Sequence, residues 1–421
     1  MTKEEYKEKL TWLESIPKTW VVKPLLSVTK EKSVRSSNGE LLSVYLDRGV
    51  IRASDGSLGT HAPSEVMENY QAIEPGDFIL NNQQAWRGSV GVSFEDGIIS
   101  PAYLVLRLSE ELDWRYSNYL LRARPMVDQF MLASQGVGTI QRQIHTPSFK
   151  NVLTVIPPIG IQQNIAVFLD EKTKVIDELV EKKERLIELL REKRAALITR
   201  AVTKGLDPKA KMKPSGIDWL GDIPAGWEIK KIKHVATVNR KSLSEDSTSP
   251  DFEFDYVDIG NVNNEGKILE LQNYFFSNAP LRARRLAENG DVIISTVRTY
   301  LRAMAKISNA ENLVFSTGFA IFHPVKVLAN WLYWSMQSNI FLAHVMANST
   351  GVNYPGINEQ KLSSISLLIP NEKEQQQIVD FLDTETAKID KTAALIESQI
   401  EKLKEYRSSL IYHAVTGKIK I

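Results

Sequence analysis

The sequence predicts an α/β (α+β) protein: two strand-rich globular domains in tandem repeat, each followed by one long helix, the two helices forming an antiparallel coiled coil with pseudo-twofold symmetry. Three observations predict it. The 421-residue chain writes one set of motifs twice, each copy changes character abruptly at a proline, and the stretch beyond that proline is charged and almost free of glycine with apolar residues at helical spacing.

The repeat opens on Trp12-Leu13-Glu14-Ser15-Ile16-Pro17-Lys18-Thr19-Trp20, which returns as Trp219-Leu220-Gly221-Asp222-Ile223-Pro224-Ala225-Gly226-Trp227. Glu74-Pro75-Gly76-Asp77, a turn feeding the apolar run Phe78-Ile79-Leu80, returns as Glu288-Asn289-Gly290-Asp291 before Val292-Ile293-Ile294. Near the end of each half, Phe168-Leu169-Asp170 becomes Phe381-Leu382-Asp383 and Ala201-Val202-Thr203 becomes Ala414-Val415-Thr416. Between these landmarks the chain is rich in Gly, Asn, Ser and aromatics, with short runs such as Tyr103-Leu104-Val105-Leu106 that read as strands bounded by turns. The expected boundaries are a first globular domain over 1–158, a first long helix over 159–203, a linker over 204–218, a second domain over 219–370 and a second long helix over 371–421.

The helices start just after Ile156-Pro157 and Ile369-Pro370. Their stripes run through Ile165, Phe168, Ile176, Leu179, Leu186, Leu190 and Leu197, and through Ile378, Phe381, Ile389, Ile396, Leu403, Tyr406 and Leu410. At about 1.5 Å per residue, forty-odd residues span about 60 Å, more than a globular domain needs. So narrow a stripe on so polar a helix requires a partner. The other half's equivalent helix supplies one, with Ile176, Leu186, Leu190, Leu197, Ile389, Ile396, Leu403 and Leu410 as the seam; a helix packed on its own domain is the alternative.

Composition excludes more than it assigns. With 43% hydrophobic and 24% charged residues the chain is of globular type, and a net charge of +1 neither demands nor excludes nucleic acid. The absence of cysteine removes disulfides, thiolate zinc sites and cysteine nucleophiles. The charged amino terminus lacks an apolar signal core, and no uninterrupted apolar stretch of about 18 residues occurs, so a soluble, cytoplasmic protein is expected. Gly260 to Gly266-Lys267 is followed by Ile268 and has the wrong spacing for a phosphate-cradling loop. G-x-S-x-G, H-E-x-x-H and the N/D-P-P-aromatic motif of amino-methyltransferases are missing, the six histidines are scattered, and pairs such as Glu95-Asp96 are commonplace. A protein that binds rather than reacts is expected, with no metal and no catalytic residue.

Taken together, the duplicated domain plus helix, the I-P-x-x-W entry, the Gln-rich helix starts (Ile161-Gln162-Gln163-Asn164-Ile165 and Gln375-Gln376-Gln377-Ile378) and the connector end Ser215-Gly216-Ile217-Asp218-Trp219-Leu220 resemble the DNA specificity subunit of type I restriction-modification systems. The F-L-D-x-x-T-x-x-I-D run, at Phe168 to Asp177 and again at Phe381 to Asp390, is the most specific element. The resemblance covers essentially the whole chain. It implies two target-recognition domains reading the halves of a bipartite, asymmetric double-stranded DNA sequence. It further implies helices that fix the half-site spacing and dock two methylation subunits, with restriction subunits completing the complex. S-adenosylmethionine, ATP and Mg2+ would then sit on those partners, and none in this chain.

Base edges are read by Arg, Lys, Asn and Gln. Ser134 to His145 concentrates such residues in what reads as a loop, with Gln135, Thr139, Gln141, Arg142 and Gln143 as candidates; its counterpart, Asn348 to Asn358, offers Asn348, Asn353, Tyr354 and Asn358. A second pair follows the G-D strand in each half: Gln83, Gln84 and Arg87 around Trp86, and Arg298, Thr299 and Arg302 around Tyr300. Ordinary polar surface loops, and a core role for Trp86 or Tyr300, are the other readings. Lys30, Lys32 and Arg35, with Asn239, Arg240 and Lys241 opposite, are candidate phosphate contacts. A two-headed scaffold gripping protein or carbohydrate is the alternative function, and an RNA reader a further one.

Overall fold

The structure, a computed structural model, describes residues 10–421 apart from 47, 57–68, 138–140, 264 and 352–354; at 137 and 141 the backbone alone is described. Two compact units emerge, Met1–Glu184 with Ser398–Ile421, and Arg185–Glu397. This division cuts through both long helices instead of following the steps at 158/159 and 370/371.

In the first unit a four-stranded antiparallel sheet runs in the order Thr29–Glu31, Tyr103–Leu108, Asp77–Asn81, Val90–Val92. Side chains alternate across its central strand, and both faces are covered. Phe78 and Leu80 join a core with Tyr116, Leu120 and Phe130 of the helices Trp114–Arg122 and Arg124–Leu132, while Ile79 joins Leu42, Val44 and Ile99 on the opposite side. Phe130 also meets Phe78 and Phe149, each with ring centroids 6.2 Å apart.

The second unit repeats this sheet: Ala236–Val238, Phe319–Pro324, Val292–Ser295, Met304–Lys306. Val292 and Ile294 face Leu332 and Phe341, and Ile293 faces Val257 and Phe315. The units differ in the layer beyond Ile79 and Ile293. In the first it holds two strand pairs, Leu42–Tyr45 with Gly49–Arg52 and Gln71–Ile73 with Gly97–Ile99; in the second it is a five-stranded sheet with one parallel pair, Glu253–Val257 beside Leu313–Ser316.

The duplicated G-D turn explains its own sequence. Gly76 and Gly290 both have φ +91°, a conformation in which a side chain is strained, and the next residue's carboxylate folds back to accept the backbone N–H of Glu74 or Glu288, each at 2.8 Å. Asp77 and Asp291 are buried.

The long helices run from Ile159 to Lys204 and from Glu372 to Val415. Each is pinned at its start by a buried glutamine. Gln162 accepts from the Asp113 N–H at 2.8 Å and donates to the carbonyls of Glu111 and Pro157; Gln375 accepts from the Leu328 N–H at 3.0 Å and donates to the Pro370 carbonyl. Within the first unit the two helices run antiparallel, with Asp177, Lys183 and Glu184 facing Arg407, Gln399 and Lys404. Within the second, Arg191 and Arg194 face Glu397 and Asp390.

The seam departs from the sequence stripe. Ile176, Ile389, Ile396 and Leu410 are buried, whereas Leu190, Leu197 and Leu403 are half-buried. Leu186 is 44% exposed, as are Leu179 at 41% and Tyr406 at 58%. Ile187, about 100° further around the axis, is buried in place of Leu186, as is Ile400 on the second helix. Part of the expected connector is also built in, since Met212–Pro214 pairs with Asp222–Pro224.

Candidate nucleic-acid interface

The segment read as a loop at Ser134 to His145 is a hairpin: Ser134–Val137 pairs antiparallel with Gln141–Ile144, placing Gln135 opposite Gln143 and Gly136 opposite Arg142. Gln141-Arg142-Gln143-Ile144 carries a single apolar residue, so no polar–apolar alternation marked this strand in the sequence. Thr139 lies outside the described residues, as does the side chain of Gln141.

This hairpin meets the other candidate segment. Asn82 accepts the Ile144 N–H twice, through its backbone carbonyl at 3.2 Å and its side-chain oxygen at 3.1 Å. Ala85–Arg87 forms a single 3-10 turn with Ala85 fully buried beneath it. Half-buried Trp86 is therefore surface, not core, and its indole N–H donates to the Gln83 carbonyl at 3.0 Å. The guanidinium of Arg87 lies 5.1 Å from the indole centroid and that of Arg142 lies 5.6 Å from it. Gln83, Arg87, Gln135 and Gln143 are exposed; Gln84 is half-buried. Gln135 also meets the His145 ring at 3.2 Å, and that ring is held by Ser148.

The second unit brings together the equivalent segments. Thr296 accepts the Ile357 N–H at 2.8 Å, Val297 bridges Gly356, and the hydroxyls of Thr299 and Ser349 meet at 3.1 Å. Several candidates here serve the fold. Thr299 is buried, the Asn358 side chain accepts the Lys361 N–H as a helix cap, and the Asn348 amide donates to the His344 carbonyl. The two asparagines share one cause: short polar side chains beside helix ends satisfy backbone groups first. Arg298 and Arg302 are exposed and both adopt left-handed backbone, with Arg302 also donating to Asn339 at 3.2 Å. Asn353 and Tyr354 lie outside the described residues.

The candidate phosphate contacts divide. Lys32 is 15% exposed and bonds Asp77 at 2.7 Å and Glu74 at 3.2 Å, so its charge is spent on the buried G-D turn. Arg240 and Lys241 both pair with Glu288, whose carboxyl is held below its usual range chiefly by the Lys241 hydrogen bond. Asn239, left-handed at φ 51°, is used to hold the Ile321 N–H. Lys30 and Arg35 remain exposed. Residue types alone concealed the Asn82 anchor and the Trp86 platform; the only cue was a tryptophan in an otherwise polar run. Among the described residues no group of His, Asp and Glu is placed to hold a metal ion, and no helix is long and apolar enough to cross a membrane.

Two domains on one framework, each joining two sequence-distant polar segments at its surface and each docked on long helices, define a duplicated recognition protein. The family model for the type I restriction modification DNA specificity domain matches residues 224–405. The chain is 24% identical over 348 residues to the type I restriction enzyme MjaVIII specificity subunit of Methanocaldococcus jannaschii, covering 80% of this chain and 78% of that protein. It is also 24% identical over 207 residues to the StySPI specificity subunit of Salmonella potsdam, covering 47% and 44%. In fold it is similar to a chain of a type I R-M system solved for complex assembly and conformational transition (TM-score 0.70, 16% identity, 96% and 99% covered). The HsdS subunit from Thermoanaerobacter tengcongensis is also similar in fold (TM-score 0.51, 17% identity, 96% and 98% covered). Residues 224–405 thus match the DNA specificity domain of type I restriction modification systems, and the chain as a whole is similar to type I specificity subunits.

Proposed function

We propose that this chain reads a bipartite, asymmetric double-stranded DNA target, one half-site per globular domain, as the non-catalytic specificity subunit of a cytoplasmic restriction-modification complex. One observation carries the reading: in both domains a turn after the G-D strand and a second polar segment some sixty residues on are tied together at the surface, by Asn82 to Ile144 and by Thr296 to Ile357. Arg, Gln and Asn displayed on such a paired support suit base edges in a groove. The scaffold alternative, gripping protein or carbohydrate, has less support, since the Trp86 ring is flanked by guanidinium groups rather than left open as a sugar platform.

In this reading the long helices dock two methylation subunits, which bring S-adenosylmethionine, and restriction subunits bring ATP and Mg2+. The isolated chain then transfers no methyl group and hydrolyses no ATP. The test is to replace residues 14 to 157 with the corresponding domain of another specificity subunit and sequence the methylated sites. One half of the recognised sequence should change and the other persist; a change in both halves, or in neither, overturns the two-reader assignment.

A further inference from the structure

We propose that Trp86 is the positioning residue of the first domain's reader, an aromatic platform that holds Arg142 and Arg87 edge-on to a guanine in the first half-site. This rests on the DNA-reading function proposed above and adds to it a base and a mechanism.

The indole is fixed from three sides. Its N–H is tied to the Gln83 carbonyl, buried Ala85 anchors the turn from below, and the Asn81 side chain accepts the Gln83 N–H at 3.1 Å. The hairpin is tied to the same turn through Asn82 and Ile144. Ile144 and Arg142 share a face of their strand by two-residue alternation, so anchoring Ile144 carries the Arg142 guanidinium over the ring. Arg87 reaches the same indole from the adjoining position.

A guanidinium held over a ring keeps its planar fork of N–H donors, the group that bonds O6 and N7 of guanine together. It also restrains a flexible side chain before DNA arrives, so less ordering is required on binding. Lysine, a point charge without that planar fork, cannot substitute for this contact, although it can for a phosphate contact. The second domain's turn presents Tyr300 between Arg298 and Arg302, with Arg302 donating to Asn339. The two readers therefore differ in chemistry, as unlike half-sites require.

The experiment sequences methylated sites in the host carrying the full chain with its native partners, comparing wild type with Arg142→Lys, Trp86→Leu and Trp86→Phe, alongside the melting temperature of each purified chain. Arg142→Lys should weaken discrimination at one guanine of the first half-site by about tenfold or more and leave the second half-site intact. Trp86→Leu should relax the same position, and Trp86→Phe should largely restore it. A first half-site without a G·C pair, unchanged reading in Arg142→Lys, or equal reading in the two Trp86 variants overturns the proposal. If Trp86→Leu fails to fold, the Arg142→Lys and Trp86→Phe results decide it. Failure of the wild-type chain to direct methylation at any bipartite sequence would instead overturn the DNA-reading function itself.

Discussion

Arg407 grips Asp177 with two N–H groups, at 2.8 and 3.0 Å, and its repeat equivalent Arg194 bonds Asp390 at 3.0 Å. The same motif position thus makes the same helix-to-helix bond in each unit, but in different surroundings. Asp177 is 54% exposed, whereas Arg194 is only 14% exposed and also lies 5.7 Å from the Trp334 ring centroid. Asp177→Ala should therefore cost about 0.5–1 kcal/mol. Asp390→Ala, which strands a largely buried guanidinium, should cost about 1.5–3 kcal/mol. Urea unfolding of the two variants checks the order, and equal costs would contradict it.

Gln162 satisfies three backbone groups from inside the first unit's core. Gln162→Ala leaves the Asp113 N–H and the carbonyls of Glu111 and Pro157 without partners and opens a cavity, for a loss of about 3 kcal/mol or more. Gln375→Ala should act in the same direction on the second unit. Thermal melts of each variant test this, and a change of under about 0.5 kcal/mol in either would show that the glutamine is dispensable.

The shifted seam gives a paired prediction. Ile176→Asp places an unpaired charge where the native residue is 6% exposed and should cost several kcal/mol. Leu186→Asp, at a position 44% exposed, should alter stability by about 0.5 kcal/mol or less. Circular dichroism melts of both decide it; similar losses would place Leu186 in the seam after all.

Tyr119 donates to Asp170 at 2.7 Å, and its phenol is pushed up to about 12, mainly by burial. A raised value in the fold favours the protonated phenol. The associated stability is fully present below the unfolded-state value of about 10 and is lost as pH rises towards 12. The melting temperature of wild type should fall relative to Tyr119→Phe between about pH 10 and 12, while the difference stays constant below pH 9. A constant difference across the whole range would refute the assignment.

The architecture was legible because it was written twice. The motif Phe168 to Asp177 turns out to be a set of attachment points: Asp170 accepts from Tyr119, its equivalent Asp383 accepts from the Trp334 indole at 2.7 Å, and Asp177 and Asp390 take the arginines of the facing helix. Each residue has one geometric duty that tolerates few alternatives, so the pattern survives in both copies. The glycines of the G-D turns and the glutamines at the helix starts were visible for the same reason.

Other features waited for the tertiary structure. Period alone placed Leu186 on the seam, but which apolar side of a helix is covered depends on what packs against it, and Ile187 was selected. Thr299, Asn348 and Asn358 have the composition of a reading surface, yet the Ser349 hydroxyl engages Thr299 and nearby backbone groups engage the two asparagines. Lys32, Arg240 and Lys241 resemble phosphate contacts until their acidic partners come into view. The sequence by itself determined the repeat, the helices and the polar character of the candidate reading segments, all properties of local pattern. Only the fold could bring Asn82 to Ile144 and Arg142 to Trp86, because contacts between residues some sixty positions apart are settled by packing and leave no periodic trace in the chain.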